Sequence, residues 1–158
     1  VFLGRQVSNP WEEVFTTPDD LDWRHSGVVG GAAGRDWSIG AGFSIGVEAQ
    51  AVLHFGEQNH AEFNLPVFIR YSPRRLDPLR SVAFGMGPSF ATEVPEIEVE
   101  TRGGSEQLLL YWAIEGEFAS PVPDWAIYGR LHHRSNGFGW VADKGGSNVL
   151  VIGLRRRW

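Results

Sequence analysis

Phe43-Ser44-Ile45-Gly46-Val47-Glu48-Ala49-Gln50-Ala51-Val52-Leu53-His54-Phe55 alternates between two kinds of side chain. Ile45, Val47, Ala49, Ala51, Leu53 and Phe55 share one parity, while Ser44, Glu48, Gln50 and His54 share the other. A strand sends successive side chains to opposite faces, so this stretch predicts a strand with one apolar and one polar face. The same rule works outward along the chain. Phe63, Leu65, Val67, Ile69 and Tyr71 oppose Glu62, Asn64 and Arg70, and Val82, Phe84, Met86 and Phe90 oppose Ser81, Ala83, Gly85, Gly87 and Ser89. Leu108, Leu110, Trp112, Ile114 and Phe118 oppose Gln107, Tyr111, Glu115 and Glu117. Trp125, Ile127 and Leu131 oppose Tyr128, Arg130, His132 and Arg134, and Leu150, Ile152, Leu154 and Trp158 oppose Arg155 and Arg157. Eight strands are predicted, over 1–7, 26–37, 42–56, 61–72, 81–93, 107–119, 125–136 and 147–158. Turn-forming runs such as Ser8-Asn9-Pro10, Ser72-Pro73 and Ser120-Pro121-Val122-Pro123-Asp124 separate them. Glycines 30, 31 and 34 blur the second strand, and neither a helix nor an internal repeat is expected.

Alternation does not say which face points inward, and a soluble barrel would put the apolar face inside. Three features favour the inverse. Large residues recur on the apolar face of strand after strand, with tryptophans near strand ends. The other face mixes small residues with both signs of charge, and an eight-stranded barrel has room inside only for packed side chains. Glu48, Glu62, Glu115 and Glu117 can pair there with Arg70, Arg130, Arg155 and Arg157. Finally, strands near ten residues and an aromatic ending fit an outer-membrane barrel. The expected fold is therefore all-β: one domain over 1–158, an eight-stranded antiparallel transmembrane β-barrel of the bacterial outer membrane. With the N-terminus on the periplasmic side, 8–25, 57–60, 94–106 and 137–146 face outward, and 38–41, 73–80 and 120–124 face inward.

Composition narrows the function classes. A net charge of −5 gives no reason to expect nucleic acid, and the absence of cysteine rules out disulfide and thiolate chemistry. No run reaches the roughly 18–20 apolar residues of a membrane helix. No leader opens the sequence, so an exported chain would be numbered from its mature start. No cofactor or metal ligand set is expected, since His54 and His60 lack ligand spacing.

The segment Leu131-His132-His133-Arg134-Ser135-Asn136-Gly137 carries the chemistry. His133 and Ser135 share the apolar, lipid-facing parity of Trp125, Ile127 and Leu131, near the outward end of the seventh strand. Polar groups on such a face are costly and invite a functional explanation; they could equally mark the membrane–water interface, where polar residues are ordinary. Here the chain resembles the lipid A 3-O-deacylase family (PagL-type barrels), as a divergent member. His133-Arg134-Ser135-Asn136 matches that family's His-x-Ser-Asn motif on the penultimate strand. Strand count, loop order and the Leu154-Arg155-Arg156-Arg157-Trp158 ending extend the resemblance; over strands one to six it is architectural. The resemblance implies a carboxylic ester hydrolase acting on lipid A, in which Ser135 attacks, His133 is the base and Asn136 helps hold the oxyanion. The family's third member, a glutamate at the start of the last strand, has no counterpart in Gly145-Gly146-Ser147-Asn148. By parity Asn148 is the nearest substitute, and Asp143 is a second candidate. The expected partner is lipid A or lipopolysaccharide. The alternative is a non-catalytic barrel serving as a scaffold or subunit with an envelope protein partner.

Other features have plainer readings. His132 has lumen parity and reads as a core or rim histidine. Gly42-Phe43-Ser44-Ile45-Gly46 fits G-x-S-x-G but lies in a continuing strand, not at a strand-to-helix elbow. Gly27 to Gly34 precedes no helix and reads as close backbone packing, not a phosphate loop. Glu93, Glu96, Glu98 and Glu100 read as a solvated loop, and Glu12, Glu13, Asp19, Asp20 and Asp22 as the charges that keep the first outer loop soluble. Arg74 and Arg75 fall in an inward turn, where anionic groups could meet them.

Overall fold

Alternation of polar and apolar side chains gives every predicted strand a matching strand in the computed structural model, which describes residues 1–73 and 77–156. The strands are β1 (Phe2–Val7), β2 (Trp23–Gly40), β3 (Phe43–Gly56), β4 (Ala61–Asn64), β5 (Val67–Tyr71), β6 (Leu79–Ala91), β7 (Leu108–Ala119), β8 (Trp125–Ser135) and β9 (Gly146–Arg156). All pairings are antiparallel. The first strand pairs with β2 and with β9, and β2 also pairs with β3, so the sheet closes. Closure gives every strand a hydrogen-bonded neighbour on both sides, which is what lets a sheet sit in hydrocarbon; β2 beyond Gly30 runs past the end of β1.

β4 and β5 together fill one place in the wall, between β3 and β6, so the ring has eight strands. The expected single strand over 61–72 is interrupted because Pro66 has no amide hydrogen to give to the ladder. Its neighbours are still satisfied: Leu65 N–H donates to Pro88 O at 3.1 Å, and Pro66 O accepts from Glu48 N–H at 3.1 Å. Gly87 permits this approach, since a Cβ there would stand 2.3 Å from Leu65 O. The glycine run of β2 likewise serves packing, as a Cβ on Gly30 would meet the Phe2 ring at 2.3 Å.

The apolar parity faces out. Leu53, Phe63, Ile69, Phe84, Ile152 and Leu154 are all exposed, with Ile69 at 55%. Inside, Glu115 is the hub of an ion network. It accepts from Arg70 Nη1 at 2.7 Å, Arg130 Nε at 2.9 Å and Arg155 Nη1 at 2.6 Å. Glu48 and Glu117 complete it, pairing with Arg155 at 3.1 and 2.8 Å. Tyr128, Val149 and Val151, with Phe2, Val28 and Val52, form an apolar plug in the same lumen. The inverted barrel read from parity is the observed one. Arg157, Trp158, Arg74 and Arg75, with their expected roles, lie outside the described residues.

Two expectations need correction. Short helices exist: α1 (Glu13–Thr16), a 3-10 turn (Pro18–Asp20) and α2 (Glu96–Arg102). The acidic run on α2 is also more than a solvated loop. Glu98 is fully buried, paired with Arg134 Nε at 3.3 Å and accepting from Ser147 Oγ at 2.7 Å. Glu100 pairs with Arg24 at 2.6 Å. The helix, ended by Gly103 in a left-handed conformation, thus caps the outer mouth of the lumen with charges that have partners.

Candidate functional site

Three adjacent strands bring the candidate residues together. The register pairs Trp112 of β7 with His133 of β8, and His133 with Asn148 of β9. One step outward, Leu110 pairs with Ser135, and Ser135 with Gly146. Asn148 is therefore the direct cross-strand neighbour of His133, where side chains readily meet. Its Oδ1 lies 2.6 Å from His133 Nδ1. The orientation of that amide is fixed from the other side, because Asn148 Nδ2 donates to the backbone oxygen of Asn9 at 2.8 Å. An amide oxygen can only accept, so the hydrogen sits on His133 Nδ1, and the neutral ring carries its lone pair on Nε2. Asp143, the other candidate for this place, does not reach the imidazole; its backbone oxygen instead accepts from Asn136 Nδ2 at 3.1 Å.

His133 has outward parity but is not in contact with lipid-facing space as expected: only 6% of it is exposed. The cause is the segment between β1 and β2. It folds back over the outside of the wall instead of standing in water. Trp11 meets Trp112 edge-on with ring centroids 5.3 Å apart, and Trp112 in turn lies 4.4 Å from the His133 ring. Val14 and Phe15 share a shallow hollow with Ile114, Leu131 and Leu150. Of its acidic residues, Glu12 lines the groove that borders this segment and Glu13 accepts from Asn9 Nδ2 at 2.8 Å, while Asp19, Asp20 and Asp22 are exposed.

Between this cover and the 136–146 loop runs a groove of about 690 Å³. His133, Ser135 and Asn136 stand at its middle, with Phe84, Met86, Leu110, Trp112 and Ile114 on its apolar side. Arg102 and Lys144 also line it, together with the carboxylates Glu12 and Asp143. Ser135 is half-buried and its Oγ accepts from Gly137 N–H at 3.1 Å. No hydrogen bond joins Ser135 to His133 among the described residues; two positions apart on one strand, their Cα atoms are about 6.6–6.8 Å apart. Beyond Gly137, Phe138 and Trp140 are almost wholly exposed, at 99% and 93%. Aromatic rings displayed this way suit the membrane interface.

Motif and parity identified His133, Ser135, Asn136 and Asn148. They gave no sign of Trp11, Asn9, Arg102 or Lys144, because loop residues carry no parity. A second cluster was also hidden. His132 lies inside, as expected, with Nε2 2.8 Å from Glu62 Oε1. Glu62 Oε2 lies 2.9 Å from His54 Nε2, and the His54 and His60 rings stack at 4.2 Å. His60, in the turn between β3 and β4, is held down to a pKa of about 4 by burial and by His54 beside it.

No family model matches the sequence, and no characterised protein matches it at the sequence level. In three dimensions the chain is similar to the crystal structure of the outer membrane enzyme PagL. The match has a TM-score of 0.56 and 14% identity, covering 96% of this chain and 97% of that one. The chain therefore has a distantly PagL-like fold: a transmembrane-type barrel of eight antiparallel strands.

Proposed function

We propose that this protein is an ester hydrolase of the bacterial outer membrane that removes acyl chains from lipid A at the outer leaflet. The observation that carries this reading is the Asn9–Asn148–His133 relay, which leaves Nε2 unprotonated on a ring that lines the same groove as Ser135. In the reaction, Ser135 Oγ attacks the ester carbonyl and its proton passes to Nε2. Asn136 Nδ2, which has a hydrogen beyond the one given to Asp143 O, stabilises the oxyanion. The C–O bond to the sugar breaks, and the imidazolium returns the proton to the leaving hydroxyl. Water then attacks the acyl-serine by the same route.

The groove suits the substrate class. Its apolar side would accept a chain from the leaflet, and Arg102 and Lys144 in its lining would pair with anionic headgroups, beside the carboxylates Glu12 and Asp143. Substrate entry must draw Ser135 and His133 together, since catalytic hydrogen bonds are often unmade in the free enzyme. Asn148 orients the base but brings no negative charge, which predicts slow turnover. That neutral third group also favours a second reading, a barrel that holds lipid without cleaving it.

The test is release of fatty acid from purified lipid A by the barrel folded in detergent, followed by mass spectrometry. Wild type should release acyl chain, and Ser135→Ala should abolish release while retaining the folded barrel and its lipid A binding. Binding without release by wild type would leave the lipid-holding reading in place of hydrolysis.

A further inference from the structure

We propose that the outer end of the lumen holds a divalent transition-metal site, suited to zinc, formed by His54, His60 and Glu62. One donor atom from each lies within 4.8 Å of the others, and all three residues are buried. Two imidazole nitrogens and a carboxylate oxygen suit zinc, and three protein ligands leave a fourth position for water; because the two rings stack at 4.2 Å with an interplanar angle of 15°, one of them must turn for both lone pairs to meet the ion. The residues come from one hairpin. Val52 pairs with Glu62 and Leu53 with Ala61, so the next pair of that register sets His54 against His60. A spacing that is uninformative along the chain becomes a ligand pair across the turn.

Two further observations point to a ligand. His60 Nε2 is buried and has no hydrogen-bond partner. Such atoms are rare in folded proteins and mark an unfilled role. The charge balance of the lumen is also incomplete. Among the described residues, the buried carboxylates Glu98, Glu115 and Glu117 each have a guanidinium within ion-pair distance. Glu62, fully buried, has histidines there instead, with the Arg134 guanidinium acting on it only from beyond ion-pair distance. A divalent ion would add positive charge in direct contact.

The surroundings also resemble the outer support of a metal site. Glu62 Oε1 is held by His132 Nε2 at 2.8 Å and by Ser89 Oγ at 3.3 Å, leaving Oε2 for the ion beside His54 Nε2. At present Gln58 Nε2 donates to His54 Nδ1 at 3.2 Å, so the ring proton is on Nε2. Metal binding moves that proton to Nδ1. If the Gln58 and Gln6 amides turn, Gln58 Oε1 accepts both from His54 Nδ1 and from Gln6 Nε2, which is without a partner in the metal-free chain, at the cost of the long 3.4 Å bond that Gln58 Oε1 now accepts from Ile97 N–H. The site is on the opposite face of the sheet from the groove and does not depend on the hydrolytic reading.

The test uses the tag-free barrel, folded in detergent, stripped with chelator and titrated with zinc chloride and cobalt chloride. Elemental analysis after desalting should give about one zinc per chain, and cobalt should show the visible bands of a four-coordinate nitrogen/oxygen site. His60→Ala removes no hydrogen bond at Nε2, so the barrel should keep its folded mobility on an unheated gel. Zinc affinity should nevertheless fall by about 10- to 100-fold or more. His54→Gln should do the same, whereas His25→Ala and His133→Ala should leave affinity unchanged. Substoichiometric zinc in the wild type would overturn the proposal. So would affinity that survives His60→Ala, or that is lost with His133→Ala. Acyl release from lipid A is a separate readout, so failure of one proposal does not imply failure of the other.

Discussion

Replacing Asn148 by Asp tests the orienting role of this residue in the direction of gain. The substitution keeps side-chain length, so an oxygen remains 2.6 Å from His133 Nδ1, now carrying negative charge. A neutral hydrogen bond contributes about 0.5–1.5 kcal/mol, and one to a charged group about 1.5–3 kcal/mol. The extra stabilisation falls on the imidazolium that forms only as Ser135 loses its proton. About 1–2 kcal/mol off the barrier is roughly a 5- to 30-fold gain in turnover. A cost opposes it: Asn148 Nδ2 no longer donates to Asn9 O, and a carboxylate oxygen faces that carbonyl instead. Because this loss is present before and during the reaction, it weakens the cover segment without raising the barrier. The assay is initial fatty-acid release at saturating lipid A, with tryptophan emission reporting the Trp11–Trp112 contact. Equal or slower release with the contact intact would refute the assignment of Asn148 as the group that orients the base.

Three other perturbations test separate levels of the structure. Trp11→Ala removes an edge-on aromatic contact to Trp112, a loss of about 0.5–1.5 kcal/mol; substrate affinity should fall and His133 should become reactive to an imidazole-modifying reagent, with the barrel still folded. Glu115→Gln leaves Arg70, Arg130 and Arg155 facing a neutral amide and should lower barrel stability by about 3–5 kcal/mol, read as the urea midpoint of the heat-modifiable gel shift. Ile69→Arg, on the outer wall, should cost about 2–4 kcal/mol for folding into vesicles. A value within about 0.5 kcal/mol, normal for a water-exposed site, would contradict membrane insertion.

Much of the barrel was legible because one rule, period two, governs every wall strand and the inside and outside of a membrane barrel make opposite demands. Glu115 and Glu117 cannot face hydrocarbon, so parity and register came together. Pro66 falls inside the single strand expected over 61–72, although the split it causes follows from its missing N–H. The site was legible up to parity: it put His133, Ser135 and Asn148 on one face, but only the register His133↔Asn148 showed which of Asn148 and Asp143 meets the base. Helix α2 was hidden because seven residues give too little periodicity, and its acids looked solvated. Glu98 became a buried ion-pair partner only because Arg134 and Ser147 come from strands far away in sequence. His54 and His60 were similarly unreadable, since their meeting depends on the length of a turn.

The cover over the outer wall connects fold and chemistry. A histidine and an asparagine with outward parity would each face hydrocarbon, where unpaired polar groups cost several kcal/mol. One backbone oxygen from Asn9 completes the Asn148 amide, and Trp11 seals the aromatic stack beside His133. Val14 and Phe15 meanwhile restore an apolar surface over Leu131 and Leu150. A barrel whose only task was to span the membrane would satisfy that wall with leucine or valine and would not need the segment. The segment is explained if the wall must keep a base that is dry but still open along one groove. Shortening it should therefore expose the polar pair to lipid and destabilise the barrel, whereas shortening it together with His133→Leu and Asn148→Val should recover stability without recovering acyl release.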